Sequence, residues 1–187
     1  MHHYTHAMPH PRRKLHRYEG LNHARYLTCS CYHRLELFEN DQIKDAFAEH
    51  LRFVQRVAVF DLFAWVVMPE HVHLLLRPAE PAQTVTQILR RLKGPFGRRV
   101  ITRWRELDAP ILKRINDHRD MPRFWQPGGG YDRNIFTDDE FFEKINYIHA
   151  NPVRRGLTER RTEYRWSSAK FYDAGQQYDG PNIARLD

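Results

Sequence analysis

Two imidazoles stand two residues apart at His71 and His73, with Val72 between them. On a strand, alternate side chains share a face, so both rings point one way while Val72 points into a core. A pair of imidazoles on one rigid strand is half of a divalent-metal site. The context favours a strand, since Met68-Pro69-Glu70 reads as a turn before it and Leu74-Leu75-Leu76 as an apolar anchor after it. In a chain with twelve histidines, a lone His-x-His pair also arises by chance.

A second group is Tyr147 with Asn151, four residues apart and so on one face of a helix. Tyr147 lies off the apolar stripe of Phe141, Ile145 and Ile148, which leaves it to face a cleft. A phenol is a weak nucleophile near neutral pH, yet it suits phosphoryl transfer once a metal polarises the phosphate. Plainer readings exist for both residues. Tyr147 is then a half-buried helix aromatic, and Asn151, followed by Pro152, an N-cap for the turn 152–155. Cys29, Cys31 and His33 alternate in the first strand, and without a second Cys pair they read as buried small residues and a surface His rather than a zinc site. Gly128-Gly129-Gly130 lacks the Lys-Ser/Thr of a phosphate loop.

The elements that must position these groups follow from periodicity. A strand is expected over Ala24 to Tyr32, then a helix opened by Asn40-Asp41 with Ile43, Phe47, Leu51 and Val54 on its buried face. Residues 60–77 read as two strands, and Thr84 to Trp104 as a second helix that Gly94-Pro95 should kink or interrupt. The stretch 106–136 reads as loops with one short strand near Arg123 to Trp125. Thr137 and Glu140 form a capping box for a third helix, which Asn151-Pro152 should break and Gly156 close. The order implies an α+β fold, an antiparallel sheet with helices packed on it. Residues 1–20 are expected as a flexible basic arm, 21–172 as one domain and 173–187 as a tail.

Composition bounds the function. The 187 residues carry 30 Lys and Arg against 23 Asp and Glu, a net charge of +7, and the pI is near 9.6. With 41% hydrophobic and 13% aromatic residues the chain is too apolar for a disordered protein. The longest clean apolar run, Leu62 to Met68, is too short to span a bilayer, and two cysteines cannot build a disulfide scaffold. We therefore expect a cytoplasmic protein with no membrane partner. Arg90, Arg91, Lys93, Arg98, Arg99, Arg103 and Arg105 follow one another without an acid between them, and Arg154 to Lys170 is a second basic stretch. Clustered basic charge is the footprint of a nucleic-acid binder, although such a run also suits a solvated helix face.

Three segments together resemble a known family. Residues 68–76, MPEHVHLLL, look like the signature MPNHVHLLL; residues 147–157, YIHANPVRRGL, look like YIxxNPVRAGL; and Tyr164-Arg165-Trp166-Ser167-Ser168 is similar to a closing Y-x-W-S-S. These belong to the single-tyrosine HUH transposases, most closely the REP-associated tyrosine transposases of bacteria. Phe124-Trp125-Gln126 and Tyr131-Asp132 match as well, and the likeness covers roughly 22–172. The chain departs from the pattern at Glu70, where Asn is usual, and at Arg155, where a small residue is usual.

The resemblance implies a ferredoxin-like (RRM-like) HUH endonuclease fold and a metal-dependent enzyme that cleaves and rejoins single-stranded DNA at REP-like hairpin palindromes. Tyr147 is then the nucleophile, forming a 5′-phosphotyrosine link. His71, His73 and Asn151 are the ligands of Mg²⁺ or Mn²⁺. Arg90, Arg91, Lys93, Arg98, Arg99, Arg154 and Arg155 are expected to meet phosphates, and Trp104, Phe124 or Trp125 to stack an unpaired base. A monomer is favoured over a homodimer, associated with the nucleoid when bound to DNA. The alternative is a domesticated copy that binds DNA hairpins without cutting them.

Overall fold

A computed structural model describes residues 23–79, 83–128, 130–173 and 177–184. The expected arm, residues 1–20, lies outside the described residues. The elements run β1 (Arg25–Ser30), α1 (Asp41–Val57), β2 (Phe60–Met68), β3 (His71–Pro78), α2 (Val85–Glu106), β4 (Tyr131–Asn134) and α3 (Asp138–Arg154). The four strands form one antiparallel sheet in the order β2-β3-β1-β4. This is the ferredoxin-like arrangement expected, with α3 added behind it.

Both faces of the sheet are covered, which explains why β2 is apolar without alternation. Leu27, Cys29, Val72, Leu74 and Leu76 pack with Phe47, Leu51 and Val54 of α1 and Ile88, Leu92 and Phe96 of α2. On the other face Tyr26, Val66, Met68 and Leu75 pack against Phe141, Ile145 and Ile148 of α3. Each helix start is capped as its sequence dictates. Asn40 accepts from the N–H of Gln42, Thr84 forms a capping box with Gln87, and Thr137 accepts from the N–H of Glu140.

Four local expectations are corrected. First, α2 continues through Gly94-Pro95. Pro95 has no N–H for the carbonyl of Arg91, and His50 Nε2 from α1 lies 3.1 Å from that oxygen and 3.0 Å from the carbonyl of Leu92. Second, α3 runs past Asn151-Pro152 to Arg154, and Gly156 ends it at φ +68°. Third, Arg123 to Trp125 forms only an isolated bridge from Trp125 to Cys31, and the fourth strand is Tyr131–Asn134. Its inward side chains are polar, and Asp132 is satisfied by the buried Arg25 guanidinium at 2.8 Å.

Fourth, part of the tail expected from residue 173 is seated on the fold, beside the 164–172 segment expected within the domain. Val67 N–H donates to Trp166 O at 2.9 Å and Ser168 N–H to Trp65 O at 3.0 Å, so the Y-x-W-S-S segment covers the free edge of β2. Tyr164 Oη donates to Val67 O at 2.7 Å. Residues 177–184, expected within a tail, are also seated, with Ile183 buried and Trp65 Nε1 donating to Tyr178 Oη at 2.8 Å. Among the described residues no helix is long and apolar enough to cross a membrane.

His149 is sealed under this edge, 2.8 Å from Ser168 Oγ, and burial pushes its pKa down from 6.5 to about 4. The unfolded chain therefore takes up a proton near pH 6.5 that the folded chain refuses until about pH 4. Stability from this group is complete above pH 6.5 and is lost as pH falls through that window. The expected cost at pH 5 is about 2 kcal/mol. His149 should account for about 5 °C of the fall in melting temperature between pH 7 and pH 5, seen as a shallower slope in His149→Gln. A melting temperature flat over that range in both proteins contradicts the assignment.

Candidate active site

The register of the sheet builds the site. Thr28 on β1 lies opposite His73 on β3, and Tyr26 opposite Leu75, so Tyr26, Thr28 and His73 share the face that α3 covers. His73 Nδ1 lies 2.8 Å from Tyr26 Oη and 2.9 Å from Thr28 Oγ1. In the tautomer protonated at Nδ1, that hydrogen is donated to the hydroxyl pair and the Nε2 lone pair is left for a cation. His71 comes from the same strand one pleat earlier, and its Nε2 lies 2.9 Å from Nε2 of His73. Burial lowers the pKa of both imidazoles, that of His73 to about 3, with the neighbouring His71 and the Arg34 charge adding to the effect. Both rings are therefore neutral near pH 7, the form that ligates metal.

This geometry fits a hard divalent ion. Two ligands in adjacent octahedral positions at about 2.1 Å from a cation stand about 3.0 Å apart. Among the described residues no three His, Cys, Asp or Glu side chains form a metal cluster, so the remaining donors must be of other types. Cys29 and Cys31 are buried as free thiols. Asn151 is 8% exposed, and its Nδ2 donates to the carbonyl of Tyr147 at 2.8 Å rather than capping a new turn. Among the described residues its Oδ1 accepts no hydrogen bond, which leaves an oxygen donor on the helix that carries Tyr147.

Tyr147 reaches the same place from α3. Its ring centroid is 5.7 Å from that of His73 and 6.0 Å from that of Tyr26, edge-on to both. A cavity of about 310 Å³ is lined by Tyr26, Thr28, His73, Tyr131, Lys144 and Tyr147. The Arg154 guanidinium carbon is 5.2 Å and Lys144 Nζ 5.9 Å from the Tyr147 ring centroid, so the phenol stands between two cations. A phenol, two neutral imidazoles and flanking positive charge are groups that can meet an anionic ester.

Residues 22–151 match the family described as Transposase IS200 like. The chain belongs to this family. It is also 25% identical over 115 residues, 62% of its length, to a REP-associated tyrosine transposase of Escherichia coli, and it spans 58% of that relative's length. A solved structure of a REP-associated tyrosine transposase bound to a REP hairpin matches with a TM-score of 0.62 at 18% identity, over 92% of this chain and 99% of that one. At such identity the likeness speaks for the fold, and the α+β HUH architecture is shared.

The fold of this member of the IS200-like transposase family separates the remaining expected residues from the cleft. Arg90, Arg91, Lys93, Arg98 and Arg99 lie on α2, in the layer across the sheet from Tyr147. Arg91 and Arg99 donate to the carbonyls of Val57 and Ala46, and Lys93 Nζ to that of Gly128 at 3.0 Å. Phe124 and Trp125 are core residues, 2% and 8% exposed, with no ring face open for a base. Trp104 is half-buried and stacks on Phe124 at 5.7 Å. The exposed aromatic at the cleft is instead Tyr131, 49% exposed. Tyr26, Thr28, Tyr131 and Lys144 escaped the sequence reading. Tyr131 and Lys144 carried a local signal, the former inside a family segment and the latter one turn before Tyr147.

Gly130 holds the strands around this cleft in place. At φ +76° it presses on β1, and a Cβ there would lie 2.0 Å from the carbonyl oxygen of Thr28. Gly128, at φ +92°, has open space around the same position. Gly130→Ala should therefore lower stability by more than the about 1 kcal/mol of backbone strain expected for Gly128→Ala, read by chemical denaturation. Equal losses would mean that the close approach to Thr28 is not enforced.

Proposed function

We propose that this chain cleaves and rejoins single-stranded DNA at REP-like hairpin palindromes through a covalent 5′-phosphotyrosine at Tyr147. The observation that carries the proposal is that His73 and the Tyr147 phenol line one cavity, with His71 2.9 Å from His73, inside a family of transposases. The relative bound to a REP hairpin supports the choice of substrate. His71, His73 and Asn151 would hold Mg²⁺ or Mn²⁺. Bound there, the cation withdraws charge from the scissile phosphate and steadies the developing negative charge.

The chain's own groups perform the rest. Tyr26 and Thr28 keep His73 in its ligating tautomer. Lys144 and Arg154 flank the phenol and draw a phosphate toward it. Tyr147 Oη loses its proton and forms a bond to phosphorus as the bond to the 3′ oxygen breaks, and that oxygen leaves as a 3′-hydroxyl after taking up a proton. The reverse attack by a 3′-hydroxyl on the phosphotyrosine rejoins a strand and restores the phenol. Because one chain supplies both His73 and Tyr147 to one cavity, the arrangement favours a monomer.

The test is a labelled single-stranded hairpin oligonucleotide incubated with the protein and Mn²⁺, followed by denaturing electrophoresis and mass spectrometry. A protein–DNA adduct at Tyr147 is expected. Tyr147→Phe should lower adduct formation by at least about 10³-fold, the scale of losing a nucleophile, with DNA affinity in EDTA unchanged. His71→Ala should abolish the adduct and weaken Mn²⁺ binding. Tight hairpin binding with no adduct in the native protein would make it a non-cleaving binder. Retained cleavage in Tyr147→Phe would instead point to metal-activated water.

A further inference from the structure

The turn between β2 and β3 buries a carboxylate beside the imidazole pair. Glu70 is 5% exposed, and a carboxylate so placed needs a partner. Its Oε1 lies 2.6 Å from Arg155 Nη1, 3.2 Å from His71 Nδ1 and 3.8 Å from Arg34 Nη2. Arg155 is the C-cap residue of α3, so one ion pair links the turn that leads into His71 with the end of the helix that carries Tyr147. The same two positions are where this chain departs from the signatures it otherwise carries, Glu70 for Asn and Arg155 for Ala. The two departures, 85 residues apart in sequence, meet in a single contact.

We propose that Glu70 and Arg155 act together as a positioning pair, Glu70 orienting His71 toward the cation through Nδ1 and Arg155 tying that carboxylate to the helix of the nucleophile. The inference rests on the function proposed above in taking the His pair as ligands. It sets a carboxylate oxygen 3.2 Å from His71 Nδ1, a contact not aligned as a hydrogen bond here, where a proton on Nδ1 would find its acceptor and Nε2 would be left for the ion. Stability does not account for the pair. With the Arg155 side chain 45% exposed the ion pair adds little net stability, and Glu70 Oε2 has no hydrogen-bond partner among the described residues. An Asn at this turn would leave less charge to desolvate. What the ion pair supplies is a fixed distance between the turn that leads into His71 and the C-terminal end of α3.

The two ends of the pair predict different defects, read on the full chain. Mn²⁺ binding is followed by the electron paramagnetic resonance signal of the free ion without DNA, and adduct formation on the hairpin oligonucleotide at saturating Mn²⁺. Glu70→Gln should weaken Mn²⁺ binding about tenfold with little change in melting temperature. Arg155→Ala should leave Mn²⁺ affinity within about threefold and slow adduct formation about tenfold, and Arg155→Lys should recover part of the rate. The double variant Glu70→Asn with Arg155→Ala restores the signature residues. It should form adduct faster than Arg155→Ala alone, and it carries the metal measurement if Glu70→Gln fails to fold.

The proposal is overturned if these carboxamide variants bind Mn²⁺ as tightly as the native protein, or if Arg155→Ala forms adduct at the native rate. A native protein that binds Mn²⁺ but makes no adduct defeats the cleavage reading, while the comparison of Mn²⁺ affinities still decides the role of Glu70. A native protein that binds no Mn²⁺ overturns both.

Discussion

Two neutral imidazoles held 2.9 Å apart in a desolvated space are the constraint around which the molecule is arranged. Burial makes them neutral, the form a metal ligand must take, and at this distance the two nitrogens need either a proton shared as a hydrogen bond or a cation between them. Keeping them so requires that each ring be fixed from its other nitrogen. The antiparallel register does this for His73 by setting Thr28 directly across from it and Tyr26 one pair away. The β2–β3 turn sets Glu70 Oε1 3.2 Å from Nδ1 of His71, which makes no hydrogen bond among the described residues. A slip of one residue in the β1–β3 pairing would turn both hydroxyls to the opposite face and expose the site's dependence on register.

The rest of the fold serves to make that register stiff. The sheet is covered on both faces, by α1 and α2 on one side and α3 on the other, so no strand can shift without disturbing two cores. Polar groups are buried where they fix position: Arg25 with Asp132 between β1 and β4, His50 against the α2 carbonyls released by Pro95, and His149 with Ser168 under the segment that closes the β2 edge. Each is a contact between parts of the chain distant in sequence. Such contacts cost desolvation and add little net stability, but they are satisfied in one arrangement only.

This division explains what the sequence could tell. His71 and His73 were legible because strand alternation is a local rule, and so were the cap at Thr137 and the turn at Pro69-Glu70. Strand β4 was not, because its inward residues Asp132 and Asn134 are polar and the cation that answers Asp132 lies 107 residues away. Pro95 looked like a break because the group that compensates for it, His50, belongs to another helix. The basic run on α2 announced charge correctly but not place, since nothing local says which sheet face a helix will cover. Phe124 and Trp125 looked like stacking platforms for the same reason. Their rings fill the space between Phe38, Phe96 and Trp104, a neighbourhood assembled from three separate segments.

The most direct measurement is anomalous diffraction from crystals of the Tyr147→Phe variant with a hairpin oligonucleotide and Mn²⁺. The account predicts one strong peak about 2.1 Å from Nε2 of both His71 and His73, on the α3 side of the sheet, with a DNA phosphate between it and residue 147. A peak elsewhere, or a phosphate seated on the α1–α2 side of the sheet, would contradict it.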